Sequence, residues 1–158
     1  MKTTRKMTYL ALGIALYVAV SVLVKIPIVN RIRLDLGYLV FGMYLCYFGK
    51  AGTLVGVAGC ILAHMLTGGS FPIAWAIAQT FIGLVLGFLY EKEKRTSLRV
   101  LYAVLILFLG IEVLKSVLEI LFFRLPPAAK FLSSLAAYIV DLIPFVIGVF
   151  LSDKIKLR

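Results

Sequence analysis

Apolar positions fall into six runs separated by short polar punctuation, and this pattern predicts a chain that crosses a bilayer repeatedly. The first run covers about residues 7–29 and is closed by Pro27 and Asn30. Asn30, Arg31, Ile32 and Arg33 link it to a second run over 34–48, where Asp35 is placed to cap a helix N-terminus. Gly49 and Lys50 separate a third run over 51–66. Thr67, Gly68, Gly69 and Ser70 read as a turn, and Pro72 suits the first turn of a fourth helix that reaches about Tyr90. Charged residues 91–95 precede a fifth run over 98–123. Leu125, Pro126 and Pro127 break it before a sixth run over 130–151 and a basic tail. The second and third runs are short: about 15 residues rise only ~22 Å as a helix, against the roughly 20 residues that a full span needs.

Composition strengthens this picture. Of 158 residues, 63% are hydrophobic and 15% charged, where soluble domains sit near half and a quarter. With a mean hydropathy of +1.07, little chain remains for a soluble domain, so residues 1–158 are expected to form one transmembrane unit. Lys2, Arg5 and Lys6 before an apolar run, with Ala19 and Ser21 behind, imitate a signal peptide, but the run continues to Val29 and reads as a retained helix.

The net charge of +10 raises the question of nucleic acid, yet the basic residues cluster between apolar runs, as topology signals do. Alternate loops are unequal. Eleven basic residues fall on the side of the N-terminus and four, Arg31, Arg33, Arg124 and Lys130, on the other. That bias puts both termini in the cytoplasm and requires an even number of spans. The expectation is an all-α membrane protein: a six-helix transmembrane bundle with cytoplasmic termini, bound to lipid and not to nucleic acid.

Polar residues inside the runs are the candidate chemistry. Glu112, Lys115 and Glu119 share an arc of the fifth helix. Each costs on the order of 3 kcal/mol at the bilayer centre, so the row faces inward, as an internal ion pair or as a cavity wall. Asp141, with Ser134 and Tyr138 at helical steps, marks a second polar face. Counted inward from the outer ends, Glu112 and Asp141 fall near the midplane, while Trp75, Gln79 and His64 lie in the outer turns. Shared depth points to one outward-opening small-molecule pocket of these residues, with Arg33 a candidate contact from the loop. Taken singly, Trp75 and Tyr138 also suit interfacial anchors. Three acids against one lysine leave an acidic excess, answered by a protonated acid or by a cationic ligand.

Small residues form stripes: Gly52, Gly56, Gly59 and Ala63 in the third run, Gly83 and Gly87 in the fourth, and Ala11, Ala15 and Ala19 in the first. All suit close helix packing, and the alanines also suit a partner's grip. Cys46 and Cys60 match no redox or zinc spacing. Tyr44 stands five residues before Gly49, where a GxxxxGK[ST] nucleotide loop needs glycine, and HExxH and GxSxG are absent too. No catalytic activity, metal or cofactor is expected.

The stretch Ala11-Leu-Gly-Ile-Ala15-Leu-Tyr-Val-Ala19, the stretch Ile32-Arg-Leu-Asp-Leu-Gly-Tyr-Leu-Val-Phe41 and the glycine-rich third run followed by Phe71-Pro72-Ile73 resemble the substrate-binding S components of energy-coupling factor (ECF) transporters. The resemblance implies that Ala11, Ala15 and Ala19, similar to that family's AxxxA motif, contact a transmembrane coupling subunit linked to two ATPase subunits. It also implies capture of a vitamin-like micronutrient near the outer face, with the first loop as a lid. Two other readings fit the residues alone: a structural membrane subunit of a cell-shape or assembly complex, or a stand-alone ion-coupled carrier using Glu112, Glu119 and Asp141. Evident inverted repeats, expected of many carriers, are missing.

Overall fold

In the computed structural model, the described residues are 3–29, 32–69 and 71–155. Helix α1 (Thr3–Leu23) is followed by a two-stranded hairpin, β1 (Lys25–Val29) and β2 (Ile32–Asp35). The end of the first apolar run is thus a strand and not helix. Pro27 cannot donate to a helix ladder, and its neighbours Ile26, Ile28 and Val29 are β-branched, which favours extended backbone. The strands pair antiparallel, Lys25 opposite Asp35 and Ile26 opposite Leu34, with the register slipping between Pro27 and Val29.

Helices α2 (Gly37–Phe48) and α3 (Thr53–Leu66) are joined by a 3₁₀ turn, Gly49–Gly52. Gly49 has φ +54°, a conformation that glycine adopts without a Cβ penalty. By length and apolarity Gly37–Leu66 is a single candidate span, but the packing shows a reversal. A Cβ on Gly52 would strike the backbone of Tyr44 and Leu45, and one on Gly56 the ring of Phe41. Helix α3 therefore runs back along α2 as the second arm of a helical hairpin, which is how two short runs occur side by side.

Helix α4 (Ile73–Lys92) starts directly after Pro72, which holds the N-cap position. The fifth run is continuous but not uniform: α5 (Thr96–Leu107), a π-helical stretch (Phe108–Lys115) and α6 (Ser116–Phe123). It ends at Arg124, the one non-glycine residue with positive φ among those described. Helix α7 (Pro127–Lys154) begins on a proline, a residue suited to the first turn, and contains Pro144. Three further stretches, Thr3–Leu23, Ile73–Lys92 and Pro127–Lys154, are long and apolar enough to cross a membrane.

The glycine stripes are packing surfaces. Gly59 receives Tyr17 of α1, Gly83 receives Thr53, and Gly42 and Gly148 bring α2 and α7 into backbone contact. Tyr17, Phe41, Leu45, Ile82, Leu86, Leu107, Ile111 and Phe145 are fully buried and form the centre of the core. Leu12, Leu62, Leu84, Leu105, Phe122, Ile139 and Phe150 lie exposed around the outside, an apolar coat suited to hydrocarbon. The start of α1 and the end of α7 share one end of the bundle: Arg5 and Lys6 face the same hollow as Tyr47 and Arg99, Arg99 of α5 pairs with Asp153 at 3.9 Å, and Tyr47 of α2 donates to the Ile155 carbonyl. The β-hairpin closes the other end.

Candidate functional site

At the hairpin end, the last turns of α1, α3 and α6 meet the first turns of α2, α4 and α7 around a cavity of about 490 Å³. Small-molecule sites usually measure about 300–1,000 Å³. Trp75, Gln79, Lys115, Glu119, Asp141 and His64 all line it, so six residues singled out from the pattern converge.

Helix α4 supplies Trp75 and Gln79 one turn apart. Gln79 is fully buried, and neither its Oε1 nor its Nε2 has a hydrogen-bond partner among the described residues. Helix α6 and the π-stretch supply the charges. Lys115 is 3% exposed, lies 3.0 Å from Glu119 and 3.3 Å from the Ser134 hydroxyl, and stands over the Trp75 ring at 4.4 Å. Lys130 also pairs with Glu119. One carboxylate thus bridges two ammonium groups, and the indole face adds a cation–π contact.

The opposite wall holds carboxyl groups. Asp141 of α7 is 5% exposed and lines the cavity beside Asp35. The Asp35 side chain accepts from the Ser21 hydroxyl at 2.5 Å, the Gly37 amide at 2.8 Å and the Tyr17 hydroxyl at 3.5 Å. Asp35 is not the cap expected of it: Leu36 holds the N-cap position without a side-chain cap bond, and Asp35, one residue earlier in β2, bonds the Gly37 amide while its carboxylate faces the cavity. Burial, the largest influence, pushes the Asp35 carboxyl above its ordinary range, while those three donors pull it back. Tyr38 lies beside these acids, 2% exposed, with its hydroxyl unpartnered among the described residues.

Three expected members stand elsewhere. Glu112 is buried but does not line the cavity. It lies in the π-helical stretch, where each residue advances less around the axis than in an α-helix, so the arc drawn with α-helical spacing turns it away from Lys115 and Glu119. Tyr138 donates to the Val104 carbonyl at 3.1 Å and packs edge-on against Phe108. The stripe of α7 that meets the cavity is Ser133, Ala137 and Asp141, at steps of four, and Tyr138 sits one position further round. The Arg33 side chain lies outside the described residues, although its backbone pairs with Pro27 in the hairpin. Arg31 is also outside them.

Asp35, Tyr17, Tyr38 and Lys130 were not signalled as cavity residues by the pattern. A carboxylate flanked by apolar positions in the first loop was the one available clue. Among the described residues no group of three His, Cys, Asp or Glu side chains is placed to hold a metal ion. A larger hollow of about 760 Å³ lies at the end holding the termini, with Arg5, Lys6, Lys94 and Arg99 on its walls. Its basic, solvent-facing lining is separate from the acid and amide groups above.

The alanine stripe of α1 is turned outward. Leu10, Gly13 and Tyr17 form the buried face, while Ala11 and Ala15 are exposed and Ala19 half-buried. Among the described residues, none covers the first two.

Comparison with known proteins fits this geometry. The family model for the S component of ECF-type riboflavin transporters matches residues 1–156. The chain belongs to that family. A crystal structure of the S component for biotin from an ECF-type ABC transporter shares the fold, with a TM-score of 0.67 and 22% identity over 98% of this chain and 93% of the other. Curated relatives named UPF0397 proteins, from Streptococcus thermophilus, are 31% and 32% identical over 99 residues. The match covers 61% of this S component and 55% of theirs, so it spans about half the length of those relatives. As an S component, the chain is a multi-pass membrane protein of transport machinery.

Proposed function

We propose that this S component is the substrate-capture subunit of an ECF-type ABC importer in the cell membrane, and that it takes a small micronutrient from the outer face. The observation that carries the reading is the cavity of about 490 Å³ at the hairpin end, in which buried Gln79, Lys115 and Asp141 and half-buried Trp75 converge. Ionisable groups at membrane depth mark binding or transport paths.

In this reading the chain is one domain of six spans with both termini cytoplasmic. The β1–β2 hairpin lies over the cavity mouth on the outside. The exposed face of Ala11, Ala15 and Ala19 seats the transmembrane coupling subunit, because small side chains let helices approach closely in lipid. Two ATPase subunits, joined through that coupling subunit, supply the energy, since this sequence carries no nucleotide loop of its own.

The deciding experiment is paired. The purified chain is titrated with micronutrients by thermal shift, and uptake is measured in cells with and without the coupling and ATPase subunits. Ligand binding by the chain alone, with uptake only when the partners are present, supports the reading. Uptake without partners, driven by a proton gradient in liposomes, would overturn it in favour of a carrier.

A further inference from the structure

The cavity is electrically divided. Its cations, Lys115 and Lys130, both converge on Glu119. Its remaining carboxyl groups, Asp35 and Asp141, stand together on the opposite wall, and neither forms an ion pair with a lysine or arginine whose side chain is described. The ionisable neighbours they have there are Tyr17, Tyr38 and Cys60, with Lys115 acting on Asp141 across the cavity and His64 exposed at the rim. Ionised carboxylates in a site of low polarity need opposite charge or several donors.

A second, independent observation concerns neutral groups. Gln79 lines the same cavity, is fully buried and leaves both amide atoms unpartnered. A buried polar group with nothing to bond costs free energy that a ligand can recover. An amide offers one acceptor and two donors in a plane, so it matches a flat edge carrying a donor beside an acceptor. The Tyr38 hydroxyl adds another unpartnered group, and the Trp75 and Tyr17 rings give apolar walls to a flat body.

We propose that the substrate is a flat nitrogen heterocycle bearing a basic amino or amidine group. That group sits between Asp35 and Asp141, and Gln79 reads the donor–acceptor edge of the ring. This rests on the reading of the cavity as the capture site, and it adds the substrate's chemical class. A free carboxylate or phosphate is disfavoured at the acid wall and would have to bind at the lysine end.

The test is thermal shift and calorimetry on the full chain in detergent. The probes are 2,4-diaminopyrimidine, 4-aminopyridine and 2-aminobenzimidazole, against uracil and nicotinate as ring controls without a basic amino group, and sodium chloride alone. Stabilisation by at least one amino-bearing probe is expected, and none by the controls. In Asp141→Asn and Asp35→Asn the affinity for that probe should fall roughly tenfold or more, as when a buried charge loses its partner. Gln79→Leu keeps the fold measurable: it should raise the melting temperature of the free protein while abolishing the probe's shift. A merely structural Gln79 would lower that temperature.

Silence from every amino-bearing probe, or binding of nicotinate undiminished by Asp141→Asn, would overturn the proposal, as would a shift given by sodium chloride alone. None of these outcomes touches the importer reading, which the dependence of uptake on partner subunits decides separately.

Discussion

The ammonium of Lys115 stands 4.4 Å from the centre of the Trp75 ring, and its other contacts are Glu119 and the Ser134 hydroxyl. Three helical segments are tied through this one side chain: α4 by the indole, α6 by the carboxylate and α7 by the hydroxyl. The cavity is held open between them. A lysine at this depth is tolerated because its charge is compensated on two sides at once.

Removing either partner should therefore cost more than packing alone. In a double-mutant cycle of Lys115→Met and Trp75→Leu, unfolding in detergent should give a coupling of roughly 0.5–2 kcal/mol. Additive losses would mean that the ring and the ammonium are neighbours without interacting.

The outward alanines lead to a prediction of a different kind. Ala15→Trp places a large side chain on an exposed face of α1. Ligand binding and melting temperature should stay unchanged, while uptake in cells with the partner subunits should fall by roughly 10-fold or more. Loss of binding in the same variant would move the stripe from a partner face to the chain's own packing.

The sequence located one wall of the cavity better than the other. Trp75 and Gln79, and Lys115 and Glu119, are each four residues apart on a single helix, so spacing alone puts each pair on a common face. Asp35, Tyr17 and Tyr38 come from strand β2 and two separate helices, and their meeting depends on how α1 docks on α3 through Gly59. Periodicity does not carry that information. Glu112 and Tyr138 show the converse error. Each has the right depth, but the π-helical turn rotates the first away, and a single position around α7 aims the second at Val104. The hairpin was hidden for another reason: Lys25–Val29 is as apolar as the helix before it, and only Pro27 betrays the change.

Tyr138 accordingly makes a sharp control. Tyr138→Phe removes its bond to the Val104 carbonyl and leaves the Phe108 contact in place. Stability should fall by about 0.5–1.5 kcal/mol, with ligand affinity unchanged. A variant that loses affinity at full stability would return Tyr138 to the binding site.

Gly59 tests the packing on which the acid wall depends. A Cβ there would lie 2.5 Å from the Tyr17 ring, closer than atoms tolerate, so Gly59→Val must push α1 from α3. Overpacking of this kind costs about 1–3 kcal/mol. Because Tyr17 also donates to Asp35, the displacement should weaken ligand binding as well, read as a lower melting temperature and a smaller ligand-induced shift. Gly68, whose Cβ would meet nothing within 4 Å, is the contrasting site for packing, although its φ of +77° favours glycine for a separate reason.

The last prediction concerns pH. Burial raises the Asp35 carboxyl in the folded protein above its ordinary value of 3.8, against the pull of Ser21, the Gly37 amide and Tyr17. Between the unfolded and folded values the native state holds the proton more tightly, so stability falls as pH rises. The contribution is complete below the unfolded value and is lost as pH passes through the folded one. Asp35→Asn removes the titrating group and keeps much of the shape. The melting temperature of the ligand-free parent should therefore decline relative to Asp35→Asn across the acid range, from about pH 4 upward. The His64 imidazole acts on the Asp35 carboxyl, so both proteins are best compared in a His64→Gln background. Parallel curves would show that Asp35 titrates as an ordinary surface carboxylate and that the acid wall is open to water. A converging or crossing pair, with the parent losing ground as pH rises, would place Asp35 in a dry site where a cationic ligand group gains most.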